Sequence, residues 1–152
     1  MTVHAIIKEF SKLAKLPGFS LNELGVARLR IDDEVDIDFE FDTTNQVLHL
    51  YSEIARASDN CVPEYELLLG ANLYLQESVG TTIGLNRETR YFVSCTRLDP
   101  DSLNENSLVV QIEKMAVAVV NLRQKLKSLD SLHMETPVNI LPFQKNSCFA
   151  LL

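Results

Sequence analysis

From Glu34 to Asp42 apolar and acidic residues alternate without a break: Val35, Ile37, Phe39 and Phe41 interleave with Asp36, Asp38, Glu40 and Asp42. That two-residue period predicts a half-buried β-strand with one greasy face and one acidic face. Upstream the period is helical. Val3, Ile6, Ile7, Phe10, Leu13 and Ala14 form one apolar stripe, with Thr2 placed to cap its start and Pro17-Gly18 placed to end it. Strands are expected at 26–31, 35–41 and 47–55, joined by a tight Asp32-Asp33 turn and by Thr43-Thr44-Asn45-Gln46. Links this short imply antiparallel neighbours.

Pro63 opens a second helix, with Glu64 and Glu66 at the positive end of its dipole, running through Leu67, Leu68, Leu69, Ala71, Leu73, Tyr74 and Leu75. It is apolar nearly all the way round. One side can lie on a sheet; the other needs a cover, and a second copy of the chain is the simplest one. Two more strands, 82–85 and 90–98, form a hairpin across Asn86-Arg87-Glu88-Thr89. The last helix, about 107–129, sets Leu108, Ile112, Met115, Val119, Leu122, Leu126 and Leu129 at alternating steps of four and three. A coiled coil carries the same stripe, but Val109, Ala116 and Val120 beside it favour a helix lying on a sheet.

The order is therefore α-β-β-β-α-β-β-α, an α+β domain over residues 1–129 with an antiparallel twisted sheet flanked by helices. The tail, 130–152, has Pro137 and Pro142 and little periodicity, yet carries Val138, Ile140, Leu141, Phe143, Phe149, Leu151 and Leu152. That is too apolar for an ordinary solvated linker, and the tail is expected to dock on its own domain, on a second subunit, or where a partner binds.

With 152 residues and 46% hydrophobic content, one domain suffices. A formal net charge of -7 argues against nucleic acid or an anionic membrane as partner, since both are bound through clustered Lys and Arg. A basic or amphipathic protein segment fits better. Lys8, Lys12 and Lys15 interrupt the amino-terminal stripe, which rules out a secretory leader there and makes the cytoplasm the expected location. Cys61, Cys95 and Cys148 include no CxxC pair and read as reduced thiols.

Candidate chemistry is thin. His4, His49 and His133 are scattered over a helix, a strand and the tail, and neither a GxSxG, a P-loop nor a dinucleotide fingerprint occurs. The segment from Asp32 to Asp38 lacks the central Gly and the terminal Glu of a calcium loop. No enzyme activity, cofactor or metal is expected. The acidic strand face is either a solvated surface that discourages aggregation or a lure for basic cargo.

A family pattern runs through several fragments: Ala27-Arg28-Leu29-Arg30-Ile31-Asp32-Asp33, Leu48-His49-Leu50-Tyr51, Leu67-Leu68-Leu69-Gly70-Ala71-Asn72-Leu73, Gly80-Thr81-Thr82-Ile83-Gly84-Leu85-Asn86, and Leu98-Asp99 ahead of the last helix. In order, spacing and length these fragments resemble the class I chaperones of bacterial type III secretion, the group typified by the Tir and Yop effector chaperones. The resemblance covers residues 1 to about 129. It implies a small acidic homodimer without nucleotide hydrolysis that holds a segment near the amino terminus of one or more secreted effectors in extended form. The secretion-system ATPase is a further candidate partner. The chain departs from the pattern at Arg28 and Arg30, where a small residue or Cys and a Gly are common, at Leu122 and Arg123, where an aromatic is common, and at Asn86, where Asp is common.

Such a chaperone needs apolar patches on a rigid surface. The candidates for cargo contact are Ile6, Phe10, Leu13, Leu29, Ile31, Val35, Ile37 and Phe39; the candidates for the dimer contact are Leu68, Ala71, Asn72, Leu75 and Ile83. The cargo candidates equally suit a core, and one stripe cannot serve both purposes throughout. A regulatory adaptor that sequesters a non-secreted component of the secretion system would present the same surfaces and remains the alternative.

Overall fold

The computed structural model describes residues 2–135, with side chains as far as Leu129. Thr2 caps α1 (Val3–Leu13) by accepting the Ala5 amide at 3.3 Å. The helix stops ahead of Pro17 because Lys15 turns to a positive φ of 54°. Strands β1 (Val26–Ile31), β2 (Val35–Asp42) and β3 (Val47–Arg56) follow as an antiparallel meander. The β1–β2 link is a tight turn in which Asp32 and Asp33 both adopt positive φ, tolerated by Asp more readily than by most residues, and Glu34 N donates to Ile31 O at 2.9 Å. The β2–β3 link is held by Asp42, whose Oδ1 accepts the amides of Thr44 and Asn45.

Next come α2 (Val62–Asn72), a 3-10 turn (Leu73–Leu75), β4 (Thr82–Asn86), β5 (Tyr91–Leu98) and α3 (Glu105–Glu135). Strand β5 inserts beside β3, so the five-stranded sheet runs β1-β2-β3-β5-β4, antiparallel throughout. The expected element order stands; two lengths differ. Helix α2 ends at Asn72, before Leu75, because the Asn72 side chain swings onto β4 and Tyr74 and Leu75 take positive φ. Helix α3 runs on to Glu135, past the expected end at Leu129, and the remainder of the anticipated tail lies outside the described residues.

Helices α1 and α3 cover one face of the sheet, α3 lying over β2, β3 and β5 with α1 beside it. The strand alternation puts Val35, Ile37, Phe39, Leu48 and Leu50 under them, against Ile6, Ile7 and Phe10 of α1 and Leu108, Met115, Val119 and Leu122 of α3. The heptad stripe is thus spent on the sheet within one chain. Each such side chain, fully buried, contributes roughly 1.5–3 kcal/mol.

Arg123 fixes the angle of α3. Its guanidinium donates to Ile54 O at 3.0 Å, Glu34 O at 2.8 Å and Glu53 O at 2.8 Å, where a register shift between Glu53 and Ala55 leaves carbonyls turned out of the ladder.

Candidate partner-binding site

The two edges of the sheet are built differently. At β1, Phe41 N donates to Gly25 O, and the two-residue alternation then turns the peptide groups of Val26, Arg28 and Arg30 away from β2. Asn22 satisfies Val26 by donating its N–H to Val26 O and accepting Val26 N on its side chain. Arg28 and Arg30 present their main chain outward. At the opposite edge Asn72 occupies β4: its Nδ2 donates to Ile83 O at 3.1 Å and its Oδ1 accepts Ile83 N at 2.8 Å.

Beside the open β1 edge runs an apolar groove of about 690 Å³, walled by Phe10, Leu13, Leu16, Leu29, Val109 and Val110. Leu13 is 51% exposed and Val110 45% exposed, unusual values for aliphatic residues flanking a core. A second hollow of about 250 Å³ continues it along α3 past Val117 and Val120, the two sharing Ile31 and Asp32. Concave apolar walls next to unpaired strand groups suit an extended polypeptide, which gains side-chain burial and main-chain hydrogen bonds together.

The expected contact residues separate accordingly. Leu13, Leu29 and Ile31 line the groove, with Phe10 buried at its floor. Ile6, Val35, Ile37 and Phe39 are sealed in the monomer core and offer a partner nothing, because they are the strand and helix positions that α3 covers. Val109, Val110 and Val117 went unnamed as contacts; their signal was an apolar row on α3 beside the heptad stripe.

The dimer candidates separate as well. Leu68 is 3% exposed and Ala71 is fully buried, both facing inward, while Asn72 serves β4. Ile83 is half-buried, and Leu75 lies on the 3-10 turn. Leu75 stands free, at 40% exposed, and with it Val62, Leu69, Leu73 and Tyr74, with Leu69 67% and Tyr74 84% exposed.

The acidic strand face is half engaged by arginines. Arg28 clasps Asp38 through Nε and Nη2 at 2.6 and 2.9 Å, and Arg30 clasps Asp36 through the same atoms at 2.7 Å each. The Arg30 hydrogen bond holds the Asp36 carboxyl below its ordinary range, and the bonds from Asn45 do the same for Asp42. Two of the four carboxylates thus have an arginine counterion, while Glu40 is exposed and Asp42 accepts only from neutral amide groups. The pairing also gives Arg28 and Arg30 a purpose: they are the cross-strand counterions of β2.

Titratable groups elsewhere are dispersed. Cys61 lies beside Arg90, whose Nη2 approaches Sγ at 3.9 Å, and burial pushes the Cys95 thiol up. Both thiols are free. Among the described residues no cluster of His, Cys, Asp and Glu suits a metal ion, and no helix is long and apolar enough to cross a membrane.

The profile of the Tir chaperone protein (CesT) family matches residues 5–123. The chain belongs to that family. No curated protein matches it by sequence. Among solved structures, this CesT-family chain is similar to one in the HopA1–SchA chaperone–effector complex, with 15% identity and a TM-score of 0.68 over 79% of this chain and 91% of that one. It is also similar to one in the ExsC–ExsE complex, with 15% identity and a TM-score of 0.67 over 82% and 96%. The Yersinia pestis type III secretion chaperone SycH, solved with a fragment of YscM2, gives 17% identity and a TM-score of 0.64 over 80% and 99%. At these identities the likeness is one of fold. Family and fold together point to a non-enzymatic role.

Proposed function

We propose that this CesT-family chain is a homodimeric chaperone of the bacterial cytoplasm that binds a segment near the amino terminus of a type III secretion effector in extended form. It keeps that cargo soluble and competent for secretion. The observation that carries the reading is the apolar groove beside the open β1 edge. A cargo strand laid there bonds to the main chain of Arg28 and Arg30 with little demand on its own sequence, while its apolar side chains fill the space between Leu13, Leu29 and Val110. Ordering an unfolded segment costs several kcal/mol, so several such contacts must form at once. The similar HopA1–SchA structure, a chaperone–effector complex, supports the same class of partner.

The exposed shoulder of Leu69, Leu73 and Tyr74 supports the homodimer. Positive φ at Tyr74 and Leu75 costs energy that burial against a second copy would offset. The role needs no catalytic group, and the secretion-system ATPase is a further partner to be sought.

The test is to isolate the tagged full-length protein from its native cytoplasm, identify what accompanies it, and weigh the same sample by light scattering. A dimer holding a stoichiometric secreted protein through its amino-terminal region is the expected result. A monomer without cargo overturns the reading; a dimer holding only a non-secreted regulator transfers it to the adaptor.

A further inference from the structure

We propose that residues 136–152 of the same chain occupy the groove between α3 and the β1 edge when no partner does, making the tail an internal competitor for the cargo site. This rests on the reading of the groove as that site. The two hollows form one channel because Ile31 and Asp32 line both, and exposed valines punctuate it: Val110, and Val117 two helical turns later at 51% exposure.

The described chain ends at Glu135, the last residue of α3. At 1.5 Å per residue, Val117 lies about 27 Å back along the helix and Val110 about 38 Å. The seventeen residues beyond Glu135 span about 56 Å when extended, enough to double back and pass both. Pro137 and Pro142 oppose continuation of the helix and favour an extended path, the form a strand edge accepts.

Chemistry matches on both sides. The segment supplies Val138, Ile140, Leu141, Phe143 and Phe149 for the apolar wall. It contains neither Asp nor Glu and one Lys, Lys145, whereas Asp32, Glu34 and Glu113 border the channel together with Arg30, whose charge is met by Asp36. Tethering raises its local concentration to about the millimolar range, so even a weak contact competes with a free partner. The α2 shoulder is the poorer berth for an extended segment, because Asn72 already holds the β4 main chain at Ile83.

The experiment uses the full chain with p-benzoylphenylalanine in place of Phe143, irradiated without partner and mapped by mass spectrometry. Cross-links to residues 116–120 of the same chain are expected, the stretch that eight extended residues from Glu135 can reach. They are lost in the double variant Val110→Asp, Val117→Asp, whose thermal unfolding should stay cooperative, because neither side chain belongs to the core, and should lose no more than removal of residues 136–152 from the parent does. Cross-links to 69–75, cross-links joining two chains, or none at all overturn the proposal. Failure here is separable from failure of the chaperone reading, which depends on the co-purified partner: an intramolecular cross-link without a secreted cargo leaves the tail contact standing and removes its meaning as competition.

Discussion

The β1 and β4 edges belong to one sheet, and each is clipped by one asparagine, yet they are left open to different extents. Asn22 clips β1 only at Val26, leaving the main chain of Arg28 and Arg30 turned outward next to an apolar groove. Asn72 closes β4 at Ile83, leaving only Leu85 with its main chain turned outward, and beside that edge stands side-chain surface: Leu69, Leu73 and Tyr74. An open edge can be extended by any strand, so it suits an unfolded partner. An edge with a single open position offers mainly shape and apolar area, so it suits a partner already folded, such as a second copy. Both surfaces are greasy; backbone availability separates them.

The sharpest way to break this comparison uses neighbouring leucines on α2. Leu68→Asp buries an unpaired carboxylate and should cost more than about 4 kcal/mol, abolishing cooperative thermal unfolding. Leu69→Asp, one residue on, should leave the fold intact and yield a monomer by light scattering. A folded Leu68→Asp dimer would mean that α2 is rotated from its described position.

Arg123→Met comes next. Losing charge-assisted bonds to three carbonyls should destabilise by about 2–4 kcal/mol in a denaturant titration and loosen the groove wall at Glu34. Val110→Asp should weaken cargo binding by about 10- to 100-fold, the value of one buried valine, with unfolding changed by less than about 0.5 kcal/mol. If binding is unaffected, the open edge rather than the groove carries affinity. Asn72→Ala should cost about 1–2 kcal/mol and speed hydrogen exchange at the Ile83 amide, while β1 exchange stays as it was.

The smallest effect concerns Asp36. Its folded carboxyl lies below the ordinary value of 3.8, so its pairing with Arg30 stabilises the protein above that pH and is lost as pH falls through the lower, folded value. Asp36→Asn should flatten the stability profile below about pH 4 only slightly, because the pair is exposed. A large change there would assign the β1 edge a structural weight that its exposure argues against.

Periodicity alone determined a great deal: the perfect alternation of 35–42, the stripe of α1, the heptads of α3, and the short links that force antiparallel pairing all reappear in the fold. These are local properties, since a strand or helix face is set by spacing along the chain. Which apolar face meets which neighbour is not local. The sequence could not say that Ile37 and Phe39 would be sealed under α3 while Leu13 and Val110 stayed open, nor that Leu68 and Leu69 would part company, because each depends on helices packed from distant segments. Nor could it match Arg28 to Asp38, bring Arg123 to three carbonyls some seventy or more residues away, or send Asn72 to close β4. Those pairings arise from strand register and helix crossing, and they alone decide which edge of the sheet is left for a partner.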